Sequence, residues 1–246
     1  MSNTPNPVFL GCITHDGRID MTTAKMLFSD ASVKYPVYTR IEQSSLLAKN
    51  CNEMWAEALN LRSKYNFKWF CMLHSDVRPE VNFIDKMIEI AEQNEIDLLS
   101  VALPIKDERG LTSTAISHKN NPWLTAGRIT QTQLKKLPPF FDADQVKATL
   151  GDEFANAGNY LLANTGLMIC RLNKSWSEML YFTINDAIVK NIDGRFETNV
   201  MPEDWHFTSL AAKLGARVMV TSAISATHVG SMAYNNQAVW GKKIDQ

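Results

Sequence analysis

The first hundred residues alternate between strand and helix patterns. Continuous apolar and β-branched runs predict strands at Val8–Thr14, Val37–Ile41, Phe67–Leu73 and Ile96–Leu103. The third run, broken only by Lys68, is typical of a strand buried on both faces of a sheet. Apolar residues recur at helical spacing between these runs, and such alternation indicates right-handed βαβ units in a mainly parallel sheet.

Three helices are predicted between these strands. Asp20 or Thr22 caps the first, and Ser44 or Ser45 opens the second, which is long. Pro79 stands one residue before the apolar series of the third. Each helix lies between two strands, as a βαβ chain requires.

The pattern changes from Pro104 to Asn159, where short apolar runs are mixed with charged and polar residues. Ordered domains rarely carry so long an irregular stretch unless it has a function, so a substrate-facing excursion is predicted, with small strands and a helix near Gln131–Leu137. Regular structure is expected to return with a strand within Leu161–Arg171. A helix with Trp176 to Ile188 inward follows it.

The last predicted elements are a helix and two strands. Pro202 begins the helix and Gly215 ends it as a C-cap. Strands are predicted at Arg217–Val220 and Ile224–His228, before a polar tail over 231–246. The whole pattern predicts an α/β fold in a single Rossmann-like domain, with a mainly parallel central sheet flanked by helices.

Composition narrows the class of protein. The 246 residues, 45% hydrophobic, are enough for one large α/β domain, and no linker divides them. A net charge of −1 argues against binding to nucleic acid or to an anionic membrane. The chain lacks a transmembrane-length apolar run and a secretory signal pattern, so a cytoplasmic protein is expected.

The four cysteines are widely spaced, and each lies within an apolar stretch. This spacing predicts buried, reduced thiols rather than a metal site.

Three short polar clusters are candidates for chemistry. They are His74-Ser75-Asp76, Glu203-Asp204 and His228-Val229-Gly230, and the chain has no Gly-rich phosphate loop, GxSxG elbow or HExxH pair. The first cluster directly follows the buried strand, which places Asp76 where open α/β sheets bind ligands. Its alternative role is to cap the next helix or shape the turn.

The order of these clusters resembles that of glycosyltransferases of the GT-A fold. The resemblance rests on Thr14 at the end of a strand, Ala48-Lys49-Asn50 in a helix, Asn164-Thr165-Gly166 before a strand, and the three clusters. It covers residues 7 to 230 and implies a nucleotide-binding half at 7–103 and an acceptor-binding half at 104–230. It implies transfer of a sugar from a nucleotide diphosphate sugar, uridine- or guanosine-linked, to an acceptor hydroxyl.

The resemblance also implies a divalent metal. A diphosphate leaving group develops negative charge, and Mn²⁺ or Mg²⁺ bound to it needs only one or two protein ligands. Asp76 matches the last residue of the family's DxD motif and would be one ligand, with His228 the other, and an imidazole favours Mn²⁺. His74 stands where the family has its first Asp, which leaves the metal requirement open. A buried structural histidine is the alternative for His228.

Further roles follow from the same resemblance. In related inverting enzymes the second acid of a Glu-Asp pair at a helix start is the general base, which implies Asp204, with Glu203 near the acceptor. Helix capping is the alternative for this pair. The implied donor-binding residues are Thr14, Arg40, Asn50, His74, Ser75, Asp76 and Lys106. For Arg40, Asn50 and Lys106, solvated surface positions are the alternative.

Other functions remain open on the sequence. Retention is possible on the same fold. A sugar nucleotidyltransferase would carry a Gly-rich basic loop after the first strand, for which Thr14 to Arg18 is a thin match. A non-catalytic nucleotide- or carbohydrate-binding protein is favoured by the missing first Asp at His74. Oligomeric state, sugar and acceptor are not predicted.

Overall fold

The computed structural model describes residues 5–121, 124–230 and 233–241. Its strands are β1 Val8–Thr14, β2 Val37–Gln43, β3 Trp69–His74, β4 Val77–Pro79, β5 Leu98–Val101, β6 Leu111–His118, β7 Thr125–Thr130, β8 Phe140–Phe141, β9 Ala157–Leu162, β10 Leu167–Arg171, β11 Asn185–Lys190, β12 Phe196–Met201, β13 Val218–Thr221, β14 Ala226–Val229 and β15 Ala233–Asn235. Its α-helices are α1 Met21–Lys25, α2 Leu47–Tyr65, α3 Phe83–Gln93, α4 Gln131–Leu134, α5 Ala143–Leu150 and α6 Glu203–Lys213. A π-helical turn, Met26–Asp30, follows α1, and 3₁₀ turns lie at Gly151–Phe154 and Ser175–Met179.

A seven-stranded sheet forms the centre of the fold, in the order β2-β1-β3-β10-β5-β13-β8. The pairs β1–β2, β1–β3 and β5–β13 are parallel. The strand β10 is antiparallel to both of its neighbours, and β8 is antiparallel to β13. The predicted α/β fold with flanking helices is therefore confirmed, but the sheet is mixed rather than mainly parallel.

Side chains of the central strands pack alternately on the two faces of the sheet. Leu10 and Cys71 point into a core that contains the α3 side chains Ile84 and Met87. Their neighbours Phe9 and Phe70 point into a second core, with α2 and α6. Since successive residues of a strand face opposite sides, a strand covered on both sides is apolar throughout. The prediction that the Phe67–Leu73 run is buried on both faces is confirmed.

Two short connections fix which helix ends lie at the carboxyl edge of the sheet. Three residues separate α2 from β3, and four separate α6 from β13. Each helix thus ends beside the start of the strand that it precedes, and it runs back antiparallel to that strand. The N-termini of α2 and α6 consequently lie toward the edge where β1, β3 and β5 end.

The predicted irregular stretch is more regular than the sequence suggests. The strands β6, β7 and β9 form a separate antiparallel sheet in the order β7-β6-β9. The helix α5, which the sequence pattern missed, packs Val146 and Leu150 into a third core beside Ile116. The predicted helix near Gln131–Leu137 is confirmed over the shorter span of α4.

Two predicted helices need correction. The span from Trp176 to Ile188 holds a 3₁₀ turn and the strand β11, and β11 pairs with β12 in an antiparallel hairpin. Pro79 ends the strand β4 instead of preceding a helix, and α3 begins only after Asn82, whose φ is 58°. Val81, the first residue of the predicted helical series, is exposed.

All four cysteines are free and buried, as predicted. None of the helices in the described ranges has the length and apolarity of a membrane-spanning segment.

Candidate functional site

The carboxyl ends of β1 and β3 are tied together by main-chain hydrogen bonds. Ser75 donates its N–H to Ile13 O at 3.2 Å, and the Asp20 N–H donates to Ser75 O at 3.2 Å. Thr14 is buried, and its hydroxyl donates to Arg18 O at 2.9 Å. Ser75 therefore shapes this edge of the sheet through its backbone, and Thr14 does so through its hydroxyl.

Asp76, Lys106 and His228, here called the Asp76 cluster, come together from three separate segments. Lys106 Nζ lies 2.5 Å from Asp76 Oδ2, and His228 Nε2 lies 3.6 Å from the same oxygen. The strand β14, which carries His228, is held beside β4 by antiparallel pairing, and the Val229 N–H donates to Asp76 O at 2.8 Å. The backbone thus fixes the position of the carboxylate.

A hydrogen bond sets the tautomer of His228. Its Nδ1 lies 2.9 Å from Pro104 O. A carbonyl oxygen only accepts, so Nδ1 carries a hydrogen and Nε2 is the ring nitrogen that faces Asp76 Oδ2. A proton or a cation at Nε2 makes this contact attractive. This arrangement, with Nδ1–H on a backbone carbonyl, is the usual support for a histidine that binds a metal through Nε2.

Gly230 makes room for the lysine of the cluster. A Cβ at this position would lie 3.0 Å from Cδ of Lys106 and 3.3 Å from its Cβ. The missing side chain therefore lets the Lys106 stem lie against the chain just after β14, which directs its ammonium group toward Asp76.

The environment holds Asp76 ionised and His74 neutral. Burial favours the protonated form of Asp76, but His228 and Lys106 outweigh it, and the pKa of this carboxyl is held well below its usual range. Burial lowers the pKa of His74 to about 4, and the nearby Asp76 charge offsets this only in part. At neutral pH the edge therefore carries an anionic Asp76 beside an uncharged imidazole.

Glu203 and Asp204, here called the acidic pair, open α6. Burial raises the pKa of Asp204 to about 7, with a further contribution from the Glu203 charge, and burial also raises the pKa of Glu203. Asp204 Oδ1 accepts the N–H of Trp205 at 2.7 Å, so one oxygen satisfies a free amide of the first helical turn. The carboxyl thus combines a capping role with a pKa near neutrality.

Arg128 is a site residue that sequence reasoning missed. Its guanidinium carbon lies 4.4 Å from the centroid of the Trp205 ring, and its positive charge opposes the rise in the pKa of Asp204. Arg128 lies on β7, within the stretch that the sequence pattern left irregular. The chain around Arg128 gives no signal of the contact, because its partners lie on a helix far along the sequence.

Asn50 and Arg40, the other residues predicted to bind the donor, lie in different places. Asn50 is buried and donates Nδ2 to Thr14 O at 3.4 Å and to Glu42 O at 3.2 Å, which ties α2 to the carboxyl edge. Arg40 lies in the middle of β2, where it forms ion pairs with Glu42 and Glu57. Its charge is already matched, and no contact within the described ranges joins it to the Asp76 cluster. Among the residues described, no hydrogen bond or ion pair joins the acidic pair to that cluster either.

Three buried polar atoms near the carboxyl edge have no hydrogen-bond partner among the described residues. They are Asn50 Oδ1, His74 Nε2 and Thr165 Oγ1. Thr165 lies two residues before β10, whose first residue Leu167 pairs with Leu73 near the end of β3. Because a buried polar atom without a partner costs free energy, these atoms are suited to contact a polar ligand.

The residues of this site could hold a divalent cation only if the substrate supplied some of its ligands. In the described ranges, no three His, Cys, Asp or Glu side chains form a group able to hold a metal ion. Asp76 and His228 offer one oxygen and one nitrogen, which suffices when phosphate oxygens and waters complete the shell. Lys106 already bonds to the oxygen that such a metal would use.

No protein-family model matches the sequence, and a search of curated proteins gives no match either. Among solved structures, the chain is similar to A197 from STIV with a TM-score of 0.54 and 12% identity, over 98% of this chain and 95% of A197. This similarity shows a common fold.

Two weaker similarities involve longer chains. TarS 1–349 of S. aureus matches with a TM-score of 0.42 and 14% identity, over 88% of this chain and 58% of that structure. The uridine diphosphate N-acetylglucosamine pyrophosphorylase of Trypanosoma brucei matches with a TM-score of 0.30 and 12% identity, over 66% of this chain and 30% of that one. Both TM-scores are too low to support an argument about this protein.

Proposed function

We propose that this protein is a glycosyltransferase that moves a sugar from a nucleotide diphosphate sugar to an acceptor hydroxyl with inversion. The observation that carries the proposal is the presence, at one edge of the sheet, of two carboxyls with opposite pKa shifts. The pKa of Asp76 is held low beside a lysine and a histidine, whereas that of Asp204 is raised to about 7. Pairs of carboxyls whose environments separate their pKa values are typical of acid–base active sites.

The Asp76 cluster is suited to the donor. As the bond to the sugar breaks, negative charge grows on the diphosphate, and fixed cationic groups lower the energy of that state. Lys106 supplies such a cationic group beside Asp76. To reach the diphosphate, its ammonium needs only to exchange Asp76 Oδ2 for a phosphate oxygen. A divalent cation, when bound by Asp76 and His228 together with the phosphates, would supply further Lewis-acid stabilisation. Asn50 Oδ1 and His74 Nε2, buried atoms without a hydrogen-bond partner in the described part of the chain, would bond to the nucleoside or ribose.

The acidic pair is suited to the acceptor. A general base works best when its pKa lies near the working pH, and about 7 meets this requirement for Asp204. Its carboxylate takes the proton of the acceptor hydroxyl as that oxygen attacks the anomeric carbon. Arg128 keeps this carboxyl ionisable at neutral pH, because its charge opposes the effects of burial and Glu203.

A second candidate is a non-catalytic protein that binds a nucleotide or carbohydrate on the same fold. The observation in its favour is that Lys106 already neutralises Asp76 at 2.5 Å, so the loop carries little free negative charge for a metal. Such a protein would bind a donor without turning it over.

A thermal-shift titration tests the donor site. Purified protein is titrated with UDP, GDP and their sugars, with and without Mn²⁺, in parallel with Asp76→Ala and with Asp193→Ala, a control carboxylate exposed on the β11–β12 hairpin. A ligand at 100 times its dissociation constant should raise the free energy of unfolding by about 2.7 kcal/mol.

We expect stabilisation by one nucleotide class in the wild type and in Asp193→Ala, and its loss in Asp76→Ala. Stabilisation by no nucleotide at millimolar concentration would refute the donor site. Binding without sugar transfer to any acceptor in a panel would favour the non-catalytic candidate.

A further inference from the structure

A cavity outside the site described above lies beside α6, between β6, β9 and the end of β12. It has a volume of about 190 Å³. One water occupies about 30 Å³ in the liquid, so the cavity has room for a small organic molecule. None of its lining residues belongs to the Asp76 cluster or the acidic pair, and it is not used in the proposed transfer.

The cavity is lined by hydrogen-bond donors that are not fully satisfied by the described residues. The ring of Tyr160 lies 5.7 Å from Lys213 Nζ, and Lys119 Nζ donates one hydrogen bond to Ala155 O at 3.4 Å. Ser117 Oγ accepts the Tyr160 N–H at 3.2 Å, and its own hydrogen has no acceptor among the described residues. Ser117 is 7% exposed, so this hydroxyl is buried in the wall of the cavity.

His118 adds a further donor. Its Nδ1 accepts the Asn120 N–H at 3.2 Å, so Nε2 carries the hydrogen of the neutral ring. Among the described residues that line the cavity none is acidic, and no described carboxylate forms an ion pair with Lys119 or Lys213. Two ammonium groups without a carboxylate partner in the described ranges, an imidazole N–H and the Ser117 hydroxyl therefore surround one space, which favours an anion.

The rest of the wall suits a ring with an apolar face. Tyr160 presents its aromatic ring, and Leu162 and Met201 are buried beside it. An aromatic ring next to polar donors is a surface on which a sugar ring can pack while its substituents form hydrogen bonds.

We propose that this cavity binds a small anionic saccharide, a sugar phosphate or a sugar acid, with its anionic group at Lys119 and Lys213 and its ring against Tyr160. The anionic character rests on the donors of the cavity alone. That the ligand is a saccharide rests on the proposed function, in which this site would hold an acidic part of the acceptor or a regulatory sugar phosphate.

Calorimetric titration tests this proposal with four probes: glucose 6-phosphate, glucuronate, inorganic phosphate and neutral glucose. The variants are Lys213→Met, Lys119→Met and Tyr160→Leu. The matched control is Lys64→Met, since Lys64 Nζ also lies over a tyrosine ring, that of Tyr65 at 5.0 Å, outside the cavity.

We expect glucose 6-phosphate or glucuronate to bind the wild type and Lys64→Met alike. Lys213→Met and Lys119→Met should each weaken binding by about tenfold to a hundredfold, the effect of losing one charge-assisted hydrogen bond. Tyr160→Leu should lower the affinity for the sugar anions but leave the affinity for inorganic phosphate unchanged. Which of the two sugar anions binds more tightly identifies the anionic group.

Three outcomes would overturn the proposal. If the two cavity-lysine variants bound the sugar anions as tightly as Lys64→Met does, the proposed site would be refuted. If neutral glucose bound as tightly as glucose 6-phosphate, the site would not select an anion. If inorganic phosphate bound as tightly as glucose 6-phosphate, the site would not recognise a saccharide. UDP-sugar binding is measured on the same samples. If it is absent while glucose 6-phosphate binds, the proposed transferase function fails and the anion site stands.

Discussion

Asp76 and Asp204 are the same residue type at the same edge of one sheet, yet their surroundings push their pKa values in opposite directions. Both carboxyls pay a desolvation penalty, which alone would raise both pKa values. At Asp76 two basic side chains reverse this effect. At Asp204 the largest effect of a charge comes from another carboxylate, that of Glu203, and the cation Arg128 opposes the rise in pKa without cancelling it.

The difference shows that neighbours assembled by the fold decide what each carboxyl can do. A carboxylate that stays ionised can hold cations and organise a diphosphate, but it is too weak a base to take a proton from an alcohol efficiently. A carboxyl with a pKa near 7 is a better base for taking that proton, but it is less fully ionised at neutral pH and so holds cations less well. Substitutions at Asp204, or at the charged neighbours of either carboxyl, test this difference in pKa.

The largest effect is expected from Asp204→Asn. The amide keeps the size of the side chain and an oxygen to accept the Trp205 N–H, but it cannot take a proton. Sugar transfer should fall by about 10²–10⁴-fold, the usual contribution of a general base. Initial rates with a donor identified by thermal shift measure this.

Donor binding by Asp204→Asn should match that of the wild type, and Asp193→Asn on the exposed hairpin should keep the full rate. A variant that retains most of its activity would exclude Asp204 as the base.

The sequence was sufficient to predict Asp76 at the end of the buried strand, because an apolar run that stops at polar residues marks a strand end. It did not reveal the direction of β10. A buried apolar run such as Leu167–Cys170 is equally compatible with parallel and antiparallel neighbours, so the mixed sheet could not be read from it.

The hairpin of β11 and β12 was missed for a different reason. Ile184, Ala187 and Ile188 recur at spacings of three and four, which predicts a helix, but Ile184 and Ile188 are exposed. The cross-strand pairing that decides the structure, such as Ile188 with Thr198, is not visible locally. Arg128 was missed in the same way, because a cation near Asp204 is a product of tertiary packing.

A smaller effect is expected from Lys106→Met. If Lys106 and a divalent cation compete for Asp76 Oδ2, removing the ammonium group should tighten Mn²⁺ binding to the nucleotide-free protein by about tenfold, the equivalent of ~1.4 kcal/mol. Electron paramagnetic resonance of free Mn²⁺ measures this without any turnover.

Lys174→Met is the control, because this lysine also pairs with an aspartate, Asp97, at 3.1 Å, away from the site. Unchanged Mn²⁺ affinity in Lys106→Met would mean that Asp76 is not a metal ligand in the free protein, and the donor would then depend on Lys106 alone.

The smallest effect concerns the pH dependence of transfer. A base must be ionised to act, so the rate should rise with pH through a midpoint at about 7, the pKa of Asp204. Glu203→Gln removes the charge that raises this pKa and should move the midpoint downward. Arg128→Met removes the charge that lowers it and should move the midpoint upward.

A downward shift of about one unit would increase the rate at pH 6 by about fivefold, because the ionised fraction of the base rises from roughly a tenth to a half. Rates measured from pH 5 to 9 with Glu203→Gln and Arg128→Met separate two explanations. Shifts of opposite sign indicate that the two residues tune the Asp204 base. Equal losses at every pH indicate instead that they only position the helix or the acceptor, and the contrast between the two carboxyls would then have another origin.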